Sequence, residues 1–170
     1  MGAKELKSPG RQEQPRHILV VEDDGSYRWV LRRLLESAFG DEISVEEASD
    51  GDVAIARVDL GEPPLDLVLL DLSLPGRNGF EILAHLRAND RTRRVPVIVV
   101  TSSQEESDVR RAYELGANSF VSKSDSPEKT LQRLRLLPVY WLELNRLPED
   151  DSSDSPSRPS SRSSTSSAGP

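Results

Sequence analysis

Residues 17–24 read HILVVEDD. Ile18, Leu19, Val20 and Val21 form an unbroken apolar run, and Glu22, Asp23 and Asp24 follow at once. A run of that length without polar alternation suits a strand buried on both faces, as in a parallel sheet covered by helices. Carboxylates crowded together repel and raise one another's pKa, so the three acids that end the run require an offsetting charge.

Working outward, the same alternation of apolar run and amphipathic stretch recurs along the chain. YRWVLRRLLESAF (27–39) has helical apolar spacing, ISVEEA (43–48) is a weaker strand, and DGDVAIARVDL (50–60) is a helix. DLVLLD (66–71) is a second buried strand, followed by the helix NGFEILAHLRAN (78–89). VPVIVVT (95–101) is a third, favoured by its β-branched residues, and QEESDVRRAYELG (104–116) is a helix that stops at Gly116. NSFVSK (118–123) is a short strand. Ser126, Pro127 and Glu128 supply an N-cap, a proline at the first helical position and an early acid, opening a last helix towards Leu147. Five strands alternating with five helices predict an α/β fold, a doubly wound parallel sheet with helices on both faces.

In such sheets the functional crevice lies outside the carboxyl ends of the strands. Glu22, Asp23 and Asp24 end the first strand, Asp71 the third, Thr101 the fourth and Lys123 the fifth. Asp23 and Asp71, helped by Glu22, would form an oxygen-rich pocket suited to magnesium, which prefers a few carboxylates plus water and phosphate oxygens. Lys123 adds a point charge suited to a phosphoryl group, and Thr101 a hydroxyl donor. Transfer of a phosphoryl group needs positioning and charge neutralisation, which a metal and a lysine provide. Each residue alone has a plainer role: Asp24 or Ser26 as a helix cap, Asp71 in a turn, Lys123 as a solvated charge. Their joint placement at successive strand ends favours the site.

The pieces ILVVEDD, LVLLDLSLPGRNGFEIL, VPVIVVTSS and GANSFVSKS, in this order and at these separations, resemble the receiver domain of two-component response regulators over roughly 17–147. The resemblance implies a five-stranded flavodoxin-like sheet of order 2-1-3-4-5. It implies that Asp71 is the phosphoacceptor and that Glu22, Asp23, Asp71 and the Ser73 backbone carbonyl hold Mg2+, with Asp23 a direct ligand. Thr101 and Lys123 match the family's hydroxyl and lysine, and Phe120 the aromatic whose rotamer reports phosphorylation. Ser73 and Ser103 fall at positions that tune hydrolysis. Pro75 and Gly79 fit the loop after the phosphoacceptor. Glu22 departs from the commoner Asp, and Ser124 stands where proline is usual, so the peptide geometry after Lys123 is open. The implied function is acceptance of a phosphoryl group from a sensor histidine kinase, with signalling through a changed protein–protein contact. A receiver-fold module that interacts without phosphorylation is the alternative.

Composition bounds the rest. Residues 1–16 and 149–170 are polar and rich in Pro or Ser, and read as a disordered arm and tail around one domain, 17–148. The ends carry +2 and −2, leaving the domain with the full charge of −7, which argues against nucleic-acid binding. No cysteine is present, and no apolar run is long enough for a membrane span, so a soluble cytoplasmic protein is expected. A dehalogenase-type phosphohydrolase needs a second Asp where Ser73 stands, and a dinucleotide site needs a Gly-rich turn where EDDGSY stands. No effector module follows the receiver, so a stand-alone regulator with an unidentified target is expected.

Two stretches suggest interfaces. At about 100° per residue, Trp29 falls opposite the apolar stripe of its helix; the resemblance implies that this helix docks the kinase, so Trp29 is a candidate anchor for it, although it also reads as a lone surface aromatic. The last helix is a C-terminal extension with surplus apolar residues: beyond the stripe Leu131, Leu134, Leu137, Trp141 and Leu144 come Leu136, Val139, Tyr140, Leu142 and Leu147. Pro138 is expected to kink or break it. Leu136, Val139, Tyr140 and Leu142 are expected to form a homodimer contact, against the rival that the extension folds back on its own domain. PVYWLELNRLP resembles the extension of phytochrome-linked single-domain regulators, which implies a phytochrome-type kinase as partner.

Overall fold

The computed structural model describes residues 14–123 and 127–145. Five parallel strands, β1 (Arg16–Val21), β2 (Ile43–Ala48), β3 (Leu65–Leu70), β4 (Val97–Thr101) and β5 (Ser119–Ser122), form one sheet in the order β2-β1-β3-β4-β5. Between and after them lie α1 (Gly25–Phe39), α2 (Gly51–Leu60), α3 (Gly79–Ala88), α4 (Glu106–Glu114) and α5 (Pro127–Val139). The expected fold and strand order are both present. β1 takes in Arg16, one residue before the expected domain start.

The strands alternate their side chains between two cores, as a period of two requires. Leu19, Val21, Val68, Leu70, Val97 and Val99 meet α2, α3 and α4 on one face. Ile18, Val20, Leu67, Leu69, Ile98, Val100 and Val121 meet α1 and α5 on the other. Unbroken apolar runs in β1, β3 and β4 are therefore necessary: every position faces a core. β2 is an edge strand with only its first and last residues buried, which explains its mixed composition.

Register brings the strand ends to one line. Val21 lies opposite Ala48 and Leu70, Leu70 opposite Val99, and Thr101 opposite Ser122. The helices that follow begin at fixed points. Asp24 Oδ1 accepts from the backbone N–H groups of Ser26 and Tyr27 at 2.8 and 3.0 Å, capping α1. Those bonds hold the Asp24 carboxyl below its ordinary pKa. Asn78 and Glu81 form a reciprocal capping box at the start of α3. Gly116, at φ 93°, takes the left-handed conformation beyond α4 that favours glycine.

The C-terminal segment departs from expectation. α5 runs through Pro138 to Val139, and the chain then widens into a π-helical turn, Tyr140–Leu144, closed by Asn145 N–H to Tyr140 O at 2.7 Å. The helix is not broken at Pro138. The π turn changes which side chains face inward. Val139 and Leu142, expected in a dimer contact, pack against their own domain, together with Leu137 and Trp141. Trp141 Nε1 donates to Ser119 Oγ at 3.3 Å, and Arg16 donates to the Leu142 carbonyl. Leu144, expected in the buried stripe, is exposed, as are Leu136 and Tyr140. The rival expectation, an extension folded back on its own domain, therefore holds for Val139 and Leu142. The expected cap at Ser126, the geometry at Ser124, the disordered reading of 1–13 and 149–170, and Leu147 all lie outside the described residues.

Candidate functional site

The carboxyl ends of β1, β3 and β5 converge on one cluster. Lys123 Nζ donates to Glu22 Oε2 and to Asp71 Oδ2, each at 2.7 Å. One ligand oxygen from each of Glu22, Asp23 and Asp71 lies within 4.8 Å of the others. Glu22 and Asp71 are 1% and 3% exposed, while Asp23 is exposed at the mouth. The site is thus a buried acid pair with an open acidic lip.

Backbone geometry builds this placement. Asp71 N–H donates to Val21 O at 2.9 Å, and Glu22 N–H to Ala48 O at 3.0 Å, extending the sheet one residue past its strands. Asp71 Oδ1 accepts from Ser73 N–H at 3.0 Å, and Glu22 Oε1 from Asp24 N–H at 3.3 Å. The Lys123 backbone N–H donates to Thr101 O at 2.6 Å, tying the lysine to the end of β4. Thr101 is fully buried, and its Oγ1 accepts from Ser103 N–H at 3.3 Å.

The electrostatics follow from burial against pairing. Burial pushes the Glu22 carboxyl above its ordinary pKa, against the pull of Lys123. Burial works in the opposite sense on Lys123, disfavouring its charge, but the hydrogen bonds it donates to Asp71 and Glu22 outweigh it and hold the ammonium above its ordinary pKa. Among the described residues, Lys123 is the ammonium that pairs with the two buried acids, Glu22 and Asp71. Their donors are all hard oxygens, and the cluster is open on the Asp23 side. That set fits a small hard divalent cation such as magnesium, held by a few carboxylates with water completing the shell.

Glu22, Asp23, Asp71, Thr101 and Lys123 are all brought to this edge, as their positions in the chain required. Ser103 lies next to Thr101, and its hydroxyl donates to Asp108 Oδ2 at 2.6 Å. Phe120 is half-buried on β5, against the α2–α4 core. Trp29 is 61% exposed, with the Arg33 guanidinium 6.0 Å from its ring, and is separate from the acid cluster's hydrogen bonds. Three neighbours of the site were not singled out from sequence. Arg28 donates to the Glu22 carbonyl at 2.6 Å, Asp108 holds Ser103, and the Tyr27 ring lies beside Lys123. A signal existed for two of them: Tyr27 and Arg28 fall four and five residues after Asp23, so one helical turn returns them to the same edge.

Comparison with known proteins agrees with this geometry. Residues 18–135 match the model of the response regulator receiver domain family. The chain is 35% identical over 140 residues to the probable methanogenesis regulatory protein FilR2 of Methanothrix harundinacea, covering 80% of this chain and 90% of that protein. It is 34% identical over 139 residues to response regulator Rcp1 of Synechocystis, covering 79% and 94%. The crystal structure of the Mn2+-bound form of Rcp1 superposes with a TM-score of 0.73 at 32% identity, over 79% of this chain and all of that one. The phosphorylated cyanobacterial phytochrome response regulator RcpA superposes with a TM-score of 0.74 at 28% identity, over 80% of this chain and all of that one. Among the described residues, no helix is long and apolar enough to cross a membrane.

Proposed function

Because this chain belongs to the response regulator receiver domain family, we propose that it accepts a phosphoryl group on Asp71 from the phosphohistidine of a sensor histidine kinase. The observation that carries this reading is the Lys123 ammonium 2.7 Å from both Glu22 and Asp71, with Asp23 in the same cluster. An Asp71 carboxylate oxygen forms the new P–O bond as the P–N bond breaks, and the electron pair leaves with the imidazole nitrogen. Glu22, Asp23, Asp71 and the Ser73 carbonyl would hold Mg2+, which supplies neutralisation of the phosphoryl oxygens. Lys123 pairs with a phosphoryl oxygen. Thr101 exchanges its contact with Ser103 N–H for one to the phosphoryl group, and Phe120 turns towards the space that Thr101 leaves. The output is a repacked surface around β5 and α4 that changes affinity for another protein. Ser73 and Ser103, small and neutral, flank the acyl phosphate where its hydrolysis is tuned.

The likeness to RcpA supports a phytochrome-type kinase as the phosphoryl source, with Trp29 a contact for it. The exposed Leu136 and Tyr140, joined by Leu144, support a contact between two copies of the chain. The acidic domain and the missing membrane-length helix among the described residues support a soluble, cytoplasmic protein that binds other proteins rather than nucleic acid.

Beryllofluoride added with magnesium separates this reading from an interaction module that ignores phosphate. We expect a saturable, magnesium-dependent change in Trp29 or Trp141 fluorescence. A flat response would sink the phosphoacceptor reading. Sedimentation of the same samples reads the mass of the assembly. A dimer that Leu136→Asp and Tyr140→Asp disrupt is expected, and a monomer at every concentration removes the proposed contact.

A further inference from the structure

Tyr27 stands on the first turn of α1, and nothing proposed above uses it. Lys123 Nζ lies over its ring, 4.5 Å from the centroid. The same nitrogen donates to Glu22 and Asp71 at 2.7 Å each, so two carboxylates and one aromatic face surround it. The ring is half-buried and packs against the core beneath α1 and α5. Its backbone is pinned, because Tyr27 N–H donates to the capping Asp24 Oδ1 at 3.0 Å. A cation within about 6 Å of a ring centroid is attracted by the ring quadrupole, more strongly when both are partly desolvated. The Tyr27 hydroxyl is buried and has no hydrogen-bond partner among the described residues. What Lys123 uses is therefore the face of the ring and not its hydroxyl.

The two carboxylates do not position Lys123 throughout the proposed reaction. Both are shared with a divalent cation, and Asp71 becomes an acyl phosphate. Their hydrogen bonds to the ammonium weaken at the stage when it must meet a phosphoryl oxygen. The Tyr27 face is the one of the three contacts whose charge and bonding stay constant. We infer that Tyr27 is a positioning residue: its ring holds the Lys123 ammonium at the rim of the acid cluster while Glu22 and Asp71 are engaged elsewhere. This rests on the phosphoacceptor reading of Asp71.

Tyr27→Phe keeps the face, and Tyr27→Leu keeps apolar bulk without it. In the metal-free protein, ring-current shifts of the Lys123 Cε protons, read by NMR, are expected in the native and Tyr27→Phe proteins and lost in Tyr27→Leu. At saturating magnesium, Tyr27→Leu is expected to bind beryllofluoride, and to label with acetyl phosphate, about fivefold more weakly, while Tyr27→Phe matches the native protein. In a Lys123→Ala background Tyr27→Leu adds no further loss, because it acts through that lysine. Native beryllofluoride affinity in Tyr27→Leu, an undiminished further loss in the Lys123→Ala background, or a weakened Tyr27→Phe overturns the inference while leaving the phosphoacceptor reading intact. A native protein that neither labels nor binds beryllofluoride overturns both.

Discussion

Replacing Asp71 with Asn abolishes magnesium-dependent labelling by acetyl phosphate, a loss of about a thousandfold or more. The amide keeps the size of the side chain but is neutral and lacks a nucleophilic carboxylate oxygen. It still offers one oxygen to accept from Ser73 N–H or Lys123, the two donors from which native Asp71 accepts at 3.0 and 2.7 Å. The substitution also removes one negative charge from a cluster in which Glu22, Asp23 and Asp71 crowd within 4.8 Å. Metal-free stability is therefore expected not to fall, which distinguishes lost chemistry from lost fold. Radiolabel from acetyl phosphate and a melting curve on one sample decide it. Labelling of Asp71→Asn at the native rate, or a label mapped to another carboxylate in the native protein, removes Asp71 from the role.

Gly79→Ala lowers stability by about 2–3 kcal/mol, read as a fall of several degrees in melting temperature. A Cβ at Gly79 would sit 2.3 Å from the Asp71 carbonyl oxygen and 2.6 Å from the Leu72 Cα. Both obstacles are backbone, so no side chain can swing aside. The contact exists because Gly79 N–H donates to Leu72 O at 3.0 Å, drawing the start of α3 against the end of β3. Relief of the clash must move the backbone that carries Asp71, so labelling is expected to slow along with the loss of stability. Gly25→Ala is the control: its Cβ would meet only the end of the Arg28 side chain, at 3.7 Å. A Gly79→Ala protein that melts with the native one would show that α3 and β3 can separate without cost.

Much of the fold was legible because parallel strands leave so simple a trace. β1, β3 and β4 lie in cores on both sides, and their runs of Ile, Leu and Val admit no other placement. Helix starts were legible where a side chain does the capping: Asn78 was placed one residue inside its helix, a shift of cap against first turn. α4 came out shorter than expected, Glu106–Glu114 against 104–116, because Glu105 makes no side-chain cap and the preceding loop is held instead by Ser103. The acid cluster was legible because its members stand within two residues of a strand's end.

The C-terminal extension and the surroundings of Lys123 were not legible, each for its own reason. Helical spacing assigns faces only while the turn keeps 3.6 residues, and the π turn at Tyr140–Leu144 changes that rotation. Within that turn Leu142 consequently packs inward, and Leu144 outward, against the stripe drawn from spacing. Tyr27 falls within the apolar spacing of its helix, and nothing local marks it as a neighbour of Lys123, which lies far away along the chain.

By itself, the sequence determined which residues stand at strand ends, because apolar runs and the polar residues that stop them are local features of the chain. Apart from the order that the family resemblance implied, only the tertiary structure decided which of those ends adjoin. The order β2-β1-β3-β4-β5 seats β3 beside β1, Asp71 beside Glu22, and Lys123, just after β5, across both. Distance between side chains is set by register and packing, and neither is written in the spacing of residues along one strand.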